Sequence, residues 1–230
     1  MITIIHGNDI VSSRNFFIEL KSRAKEPVSF QTASITITDL AQVLTGGGIF
    51  GNEMTIFIEY LLSQRKKATH ADSIIEYLLE NHNAGNIVLW EEKEIPGTTL
   101  KRFTNAKVEM FRIPQLVFTF LDSLAPGAGP RLVTMLGKTL ATSEIELVFY
   151  LLVRQFRLLL AMTNDQSALI DEAKRLAPWQ KSKLKQQAFR FTQEALIEKY
   201  NKLYAIEVGQ KTGALSAPLR ISIDFFLLGL

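Results

Sequence analysis

No cysteine occurs among the 230 residues, which excludes disulfides, thiolate metal sites and cysteine nucleophiles and suits a reducing, cytoplasmic setting. Histidine is scarce: His6, His70 and His82 are the only three, and none pairs with another at metal-ligand spacing. No apolar run reaches the roughly 18 residues of a membrane span. The nearest approach, residues 145–162, is cut by Arg154 and Arg157. The first residues lack a basic segment followed by an apolar stretch and a cleavage site, so no secretory signal is expected. Charge of one sign is also short: the net charge is +3. It is unevenly spread, with 12 Lys/Arg against 13 Asp/Glu in residues 1–112 and 14 against 10 in residues 113–230. So mild an excess permits contact with nucleic acid without demanding it.

What is present is apolar and ordered in two styles. Hydrophobic residues make up 47% of the chain, enough for sizeable cores. In the first half, strand-like runs at Ile2–Ile5, Met54–Leu61, Asn86–Trp90 and Lys107–Ile113 alternate with helical patterns, among them Phe16, Phe17 and Leu20, then Ile74, Ile75, Leu78 and Leu79. Strands separated by helices imply a parallel sheet with crossovers. In the second half the strand signal stops. Ile145, Val148, Phe149, Leu152, Phe156, Leu159 and Leu160 mark one face of a helix, with Ser143 and Glu146 as a capping box at its start. Further helices are expected over residues 165–177, 179–189, 192–209 and 217–228. The expected organisation is an α/β domain over residues 1–112 and an all-α domain over 113–230.

The turn after the first strand invites comparison with a phosphate loop. That loop needs glycines to wrap phosphates with backbone N–H groups, a lysine for the β/γ charge and a hydroxyl for Mg²⁺. In the register G-x-x-x-x-G-K-[ST], Gly7 fits, but Ser12, Ser13 and Arg14 replace the second glycine, the lysine and the Mg²⁺ hydroxyl. The strand–turn–helix remains while its phosphate chemistry is gone, although Arg14 retains a charge that suits an anion. The strand at 54–62 offers one acid, Glu59, where an ATPase would keep a Mg²⁺-binding pair. A single acid there, like the cluster Glu91-Glu92-Lys93-Glu94, reads most simply as solvated. No G-x-S-x-G elbow or other catalytic constellation occurs. No cofactor and no metal site is expected.

Two further stretches carry functional weight. Gly46, Gly47, Gly48 and Gly51 bracket Ile49 and Phe50. Large apolar residues in so loose a segment are either tucked into the core or held out as a plug for a partner's pocket, where aromatic anchors often dominate binding. Lys174, Arg175, Lys181, Lys183, Lys185 and Arg190 form a basic stretch, read as a solvated helix face or a surface for DNA or another subunit. Phe189, Phe191, Tyr200 and Tyr204 recur at near-helical spacing and are expected in the core. Arg154, Arg157 and Arg190 are read as helix caps or partners of nearby carboxylates. Lys211, Thr212 and Gly213 are read as a helix-ending turn.

Several of these segments together resemble the delta subunit of the bacterial DNA polymerase III clamp loader. They are Arg154-Gln155-Phe156-Arg157 within residues 151–162; the proline–aromatic start, basic helix and A-x-x-F turn of residues 178–196; and Leu203 to Gly213, resembling L-Y-x-x-D-x-x-x-K-T-G with Glu207 for the usual Asp. The apolar end at 223–230 and Gly48-Ile49-Phe50-Gly51 before a strand complete the set. The order resembles a short form of that family, without the small helical lid between its two outer domains. The resemblance implies an AAA+-like first domain with a degenerate phosphate loop and a collar-type helical domain. It implies no catalysis by this chain, ATP hydrolysis being left to partner subunits of the polymerase holoenzyme. Ile49 and Phe50 would enter a pocket on the sliding clamp, with Leu44, Gly51 and Met54 shaping the contact. Arg154, Gln155, Arg157 and Lys211 would be collar-interface residues. The implied partners are the sliding clamp, the motor subunits, delta prime and, through the complex, primer-template DNA, at the nucleoid in the cytoplasm. A nucleotide-binding switch and a basic nucleic-acid-binding adaptor are the alternatives.

Overall fold

In the computed structural model, which describes residues 1–46, 54–63, 68–163 and 170–230, the chain divides into two compact units, Met1–Ile113 and Pro114–Leu230. The first unit runs β1 (Ile2–Gly7), α1 (Ile10–Arg23), β2 (Glu26–Gln31), α2 (Ile37–Gly46), β3 (Met54–Glu59), α3 (Ala68–Glu80), β4 (Asn86–Trp90), the single turn α4 (Gly97–Leu100) and β5 (Lys107–Phe111). All the described strands pair in parallel, in the order β2-β3-β4-β1-β5, a five-stranded α/β sheet with helical crossovers.

Period-two alternation sorts each strand's side chains between two cores. Ile2, Ile4, Ile56, Ile58, Ile87 and Leu89 pack on the face covered by Leu40 of α2 and by Ile74, Ile75 and Leu78 of α3. Ile5, Phe57, Val88 and Trp90 pack on the opposite face with Phe17 of α1. Because both faces are covered, the central strands read as unbroken apolar runs. β2 does not. Its sequence Glu-Pro-Val-Ser-Phe-Gln is largely exposed and lies at the sheet edge, where proline's missing N–H is tolerated. That polar edge strand gives no run to detect.

Gly7 ends β1 for a steric reason. Its φ is 144°, and a Cβ placed there would lie 1.8 Å from the carbonyl oxygen of Phe111, its partner in β5. The glycine permits close approach of two strands.

The second unit is helical: α5 (Gln115–Asp122), α6 (Gly129–Thr139), α7 (Ile145–Thr163), the single turn α8 (Asp171–Lys174), α9 (Pro178–Ala188), α10 (Gln193–Thr212) and α11 (Leu219–Leu228). α7 is its central helix, burying Leu147, Val148, Leu151, Leu152, Phe156 and Leu159 among others. Phe156 stacks edge-on with Phe191 and Phe226, which brings α7 against α11 and the start of α10. Gly213 ends α10 in the left-handed region at φ 71°. The expected Ser143 cap does not form: α7 begins at Ile145, and the Ser143 hydroxyl is buried without a partner. Of the helix expected over 165–177, the described part is only the turn α8.

The four expected core aromatics also divide. Phe191 is buried, but Phe189 is 85% exposed and Tyr204 is 58% exposed. Phe189 is the C-cap of α9, so the chain turns there and aims its ring away from the core that Phe191 enters two residues later.

Among the described residues, no helix is long and apolar enough to cross a membrane.

Candidate functional site

The carboxyl ends of β1, β3 and β4 meet the first turns of α1, the place where open parallel sheets bind ligands. Only Asn8 and Asp9 separate β1 from α1, and both are committed within the chain. The Asn8 Oδ1 accepts from the Ile113 N–H at 2.8 Å, and the Asp9 N–H donates to the Phe111 carbonyl at 3.2 Å. The Asp9 carboxylate caps α1, accepting from the Ser12 N–H at 3.0 Å and the Ser12 hydroxyl at 2.8 Å. An anion of the chain's own therefore sits at the helix N-terminus, the end that would attract a phosphate.

The next residues are committed as well. Ser13 is fully buried; its hydroxyl donates to the Ile10 carbonyl and accepts from the Trp90 indole N–H at 3.3 Å. Arg14 donates to Glu59 Oε2 at 2.6 Å, and its guanidinium lies 4.7 Å from the ring centre of Trp90 and 5.2 Å from that of Phe17. A positive charge over an aromatic face is held by the ring quadrupole as well as by its carboxylate. Glu59, read from the sequence as solvated, is thus an ion-pair partner whose side chain is 15% exposed. Tyr60 follows with φ 64°, a left-handed conformation unusual for so large a residue, and its ring meets Trp90 edge-on.

The acidic cluster after β4 is likewise not simply solvated. Glu91 is fully buried, and its carboxylate accepts from the Leu62 N–H at 2.6 Å and the Ser63 N–H at 3.2 Å. Burial raises its pKa, against the opposing pull of those hydrogen bonds. Glu94 pairs with Arg112 at 2.8 Å. His6 is buried beneath this loop; its Nδ1 accepts from the Ile95 N–H at 3.1 Å and its Nε2 has no partner. Burial lowers its pKa, with Glu94 pulling it up and Arg112 pushing it down. Among the described residues, no group of three His, Asp or Glu is placed to hold a metal ion.

Of the expected clamp-binding residues, Ile49, Phe50 and Gly51 lie outside the described residues. Leu44 is half-buried near the end of α2 and packs against the core shared with α3. Met54 opens β3, opposite Glu26.

In the helical unit, the expected interface residues bond within the chain. Arg154 and Arg157 both hold Glu172, Arg157 at 2.7 Å. Burial would raise the pKa of Glu172, but the two guanidiniums outweigh it and hold the carboxyl below its usual range. Gln155 is buried, and its amide donates to Gln187 Oε1 at 2.7 Å. That bond ties α7 to α9, and Gln155 also lines the groove formed by α5, α7 and α9. Lys211 is exposed and pairs with Glu207 one helical turn earlier.

The basic stretch read from the sequence lies on and around α9, and what the sequence did not reveal is that two exposed rings, Trp179 and Phe189, share its surface. From Ala173 to Gln193 there are six Lys/Arg and no Asp or Glu. Trp179, 67% exposed, and Phe189 stand at its two ends, on the same solvent-facing side as Ser182, Lys183, Gln186 and Arg190. Lys183 pairs with Asp122 of α5. Periodicity placed Phe189 inside; the helix end at Ala188 was the missing signal. Beside Trp179 a groove of about 360 Å³, lined by Phe118, Leu158, Leu176 and Leu184, opens toward this face.

No family model and no curated protein matches the chain. Among solved structures, the Bacillus subtilis DNA clamp loader delta protein is similar, at 12% identity and a TM-score of 0.47, over 99% of this chain and 94% of that one. Identity that low carries no residue roles from one chain to the other.

Proposed function

We propose that the chain is a non-catalytic subunit of clamp-loader type that binds a ring-shaped sliding clamp and favours its open form. The observation that carries this reading is the commitment of the nucleotide end to the chain's own side chains. An AAA+-like sheet whose phosphate loop is stitched to β5, capped by Asp9 and filled by Arg14 has its value elsewhere. The order and spacing of the segments over 48–59, 151–162, 178–196 and 203–213 support the choice of clamp loader over other uses of such a scaffold. In this reading Ile49 and Phe50 form the wedge, with Leu44, Gly51 and Met54 around it. A wedge opens a ring only through tighter binding to the open form than to the closed one. The helical unit joins delta prime and the motor subunits; the motor subunits hydrolyse ATP on the assembly's behalf and control access to the wedge. The protein works in the cytoplasm.

The test is affinity for the cognate clamp, measured by calorimetry and co-elution. Ile49→Ala/Phe50→Ala is expected to weaken binding by about 2 kcal/mol or more, roughly 30-fold. Unchanged affinity in a folded double variant removes the wedge.

Direct contact with nucleic acid is the second reading, favoured by α9. Lysines neutralise phosphates, and exposed rings offer faces on which bases stack. Isolated protein should bind oligonucleotides with an affinity that falls steeply with salt. Replacing Lys181, Lys185 and Arg190 with Glu should abolish that binding while leaving clamp affinity intact. Salt-independent binding, or none, returns α9 to a solvated face.

A further inference from the structure

An AAA+-like sheet implies a nucleotide with its Mg²⁺ at the carboxyl ends of β1 and β3, and the residues here do not fit one. Two of the loop's N–H groups are already taken, the Ser12 N–H by Asp9 and the Asp9 N–H by Phe111. A phosphate at α1 would face the Asp9 carboxylate. The acid at the end of β3, which would reach a cation, is bound instead to Arg14.

We infer that the Arg14–Glu59 pair is a permanent internal tie that takes over the bridging role of the nucleotide's cation, fixing the β1–α1 junction to β3 in one arrangement whatever the nucleotide supply. The tie spans separate elements: Arg14 is on α1, Glu59 ends β3, and Trp90 beneath the guanidinium ends β4 between them. Four contacts converge. Arg14 meets Glu59 and Trp90, Trp90 donates to Ser13, and Tyr60 meets Trp90 edge-on. The Glu59 carbonyl also accepts from the Thr32 N–H and hydroxyl, which extends the tie to the end of β2. In a nucleotide-driven switch, γ-phosphate and Mg²⁺ order such loops and hydrolysis releases them. Here a side-chain cation cannot be hydrolysed away, so the unit has one state. This inference stands apart from the identity of the partner and goes beyond clamp binding.

Hydrogen exchange on the full chain tests it, with clamp affinity measured in parallel. Arg14→Met and Glu59→Gln should each speed exchange about tenfold over residues 8–14 and 57–63, as expected for local opening made easier. The double variant should exchange no faster than the more affected single, because both remove one interaction. The charge swap Arg14→Glu/Glu59→Arg should recover protection relative to either swapped single, which keeps the test decisive if a neutral variant unfolds. Millimolar MgATP should leave the unmodified chain's exchange unchanged. Protection of residues 8–14 by MgATP overturns the inference, as do additive effects in the double variant or singles that exchange like the parent. Those failures would leave clamp affinity untouched, whereas failure of the wedge would leave these exchange patterns in place.

Discussion

Gly7→Ala is expected to unfold the first unit or bring it close to unfolding. The added methyl would lie 1.8 Å from the Phe111 carbonyl oxygen and within 3 Å of the carbonyl carbon and nitrogen of the same residue, all of them backbone atoms. No rotamer change relieves a clash with backbone. The φ of 144° is in addition one that side-chain-bearing residues rarely adopt. Relief requires β5 to move away from β1, breaking the register from Thr3 opposite Lys107 to Gly7 opposite Phe111. It would also pull the Asp9 N–H from the Phe111 carbonyl and loosen the cap of α1. Strain of this kind costs about 1–3 kcal/mol before any steric clash is added. A total of about 4 kcal/mol or more is a large part of the stability of a domain this size. The measurement is the urea midpoint followed by circular dichroism. A midpoint within error of the parent would mean that Gly7 is not held as described.

Gln187→Leu should cost the helical unit nearly as much, for an electrostatic reason. Gln187 is 5% exposed, and its amide donates to the carbonyls of Leu121 at 2.8 Å and Leu124 at 3.1 Å while its oxygen accepts from Gln155. One side chain thus ties the end of α5 and the middle of α7 to α9. Leucine fills much of the same volume but leaves the Leu124 carbonyl and the Gln155 amide buried without that partner. Each such orphan costs about 1–3 kcal/mol, so a loss of about 3 kcal/mol is expected. Gln155→Leu strips only the Gln187 oxygen of its partner and should cost less. Because the two residues share one bond, the double variant should lose less than the two singles added together. Equal losses in the two singles, or simple additivity, would show that the network is not the source of the effect.

The parts of the fold that could be read from sequence are those where burial leaves a local pattern. β1, β3 and β4 are legible because the centre of a parallel sheet covered on both faces selects apolar runs, whereas β5, at the other edge, is largely exposed and shows only the alternation of Val108, Met110 and their polar neighbours. α7 is legible because its core-facing side recurs every three or four residues. The failed phosphate loop is also legible, since it is a matter of residue types at fixed spacing. β2 is not, because an edge strand needs no apolar face and accepts Glu26 and Pro27.

The candidate site lies at the other extreme. Nothing in the neighbourhood of Glu59 or of Arg14 marks either as paired; they are 45 residues apart and meet because β3 ends and α1 begins at the same edge of the sheet. Glu91 and Glu92 are adjacent and chemically alike, yet Glu91 is fully buried and holds the turn after β3 while Glu92 is not. Phe189 and Phe191 differ in burial because α9 ends at Ala188, so the chain turns at Phe189 before Phe191 enters the core. Residue order therefore settled which segments become buried strands and helices, through side-chain periodicity and the loss of glycine, lysine and hydroxyl at three loop positions. Long-range packing settled which charges pair, which carboxylate is buried and which rings face solvent, because those outcomes depend on what lies opposite in space and leave no mark in the local pattern.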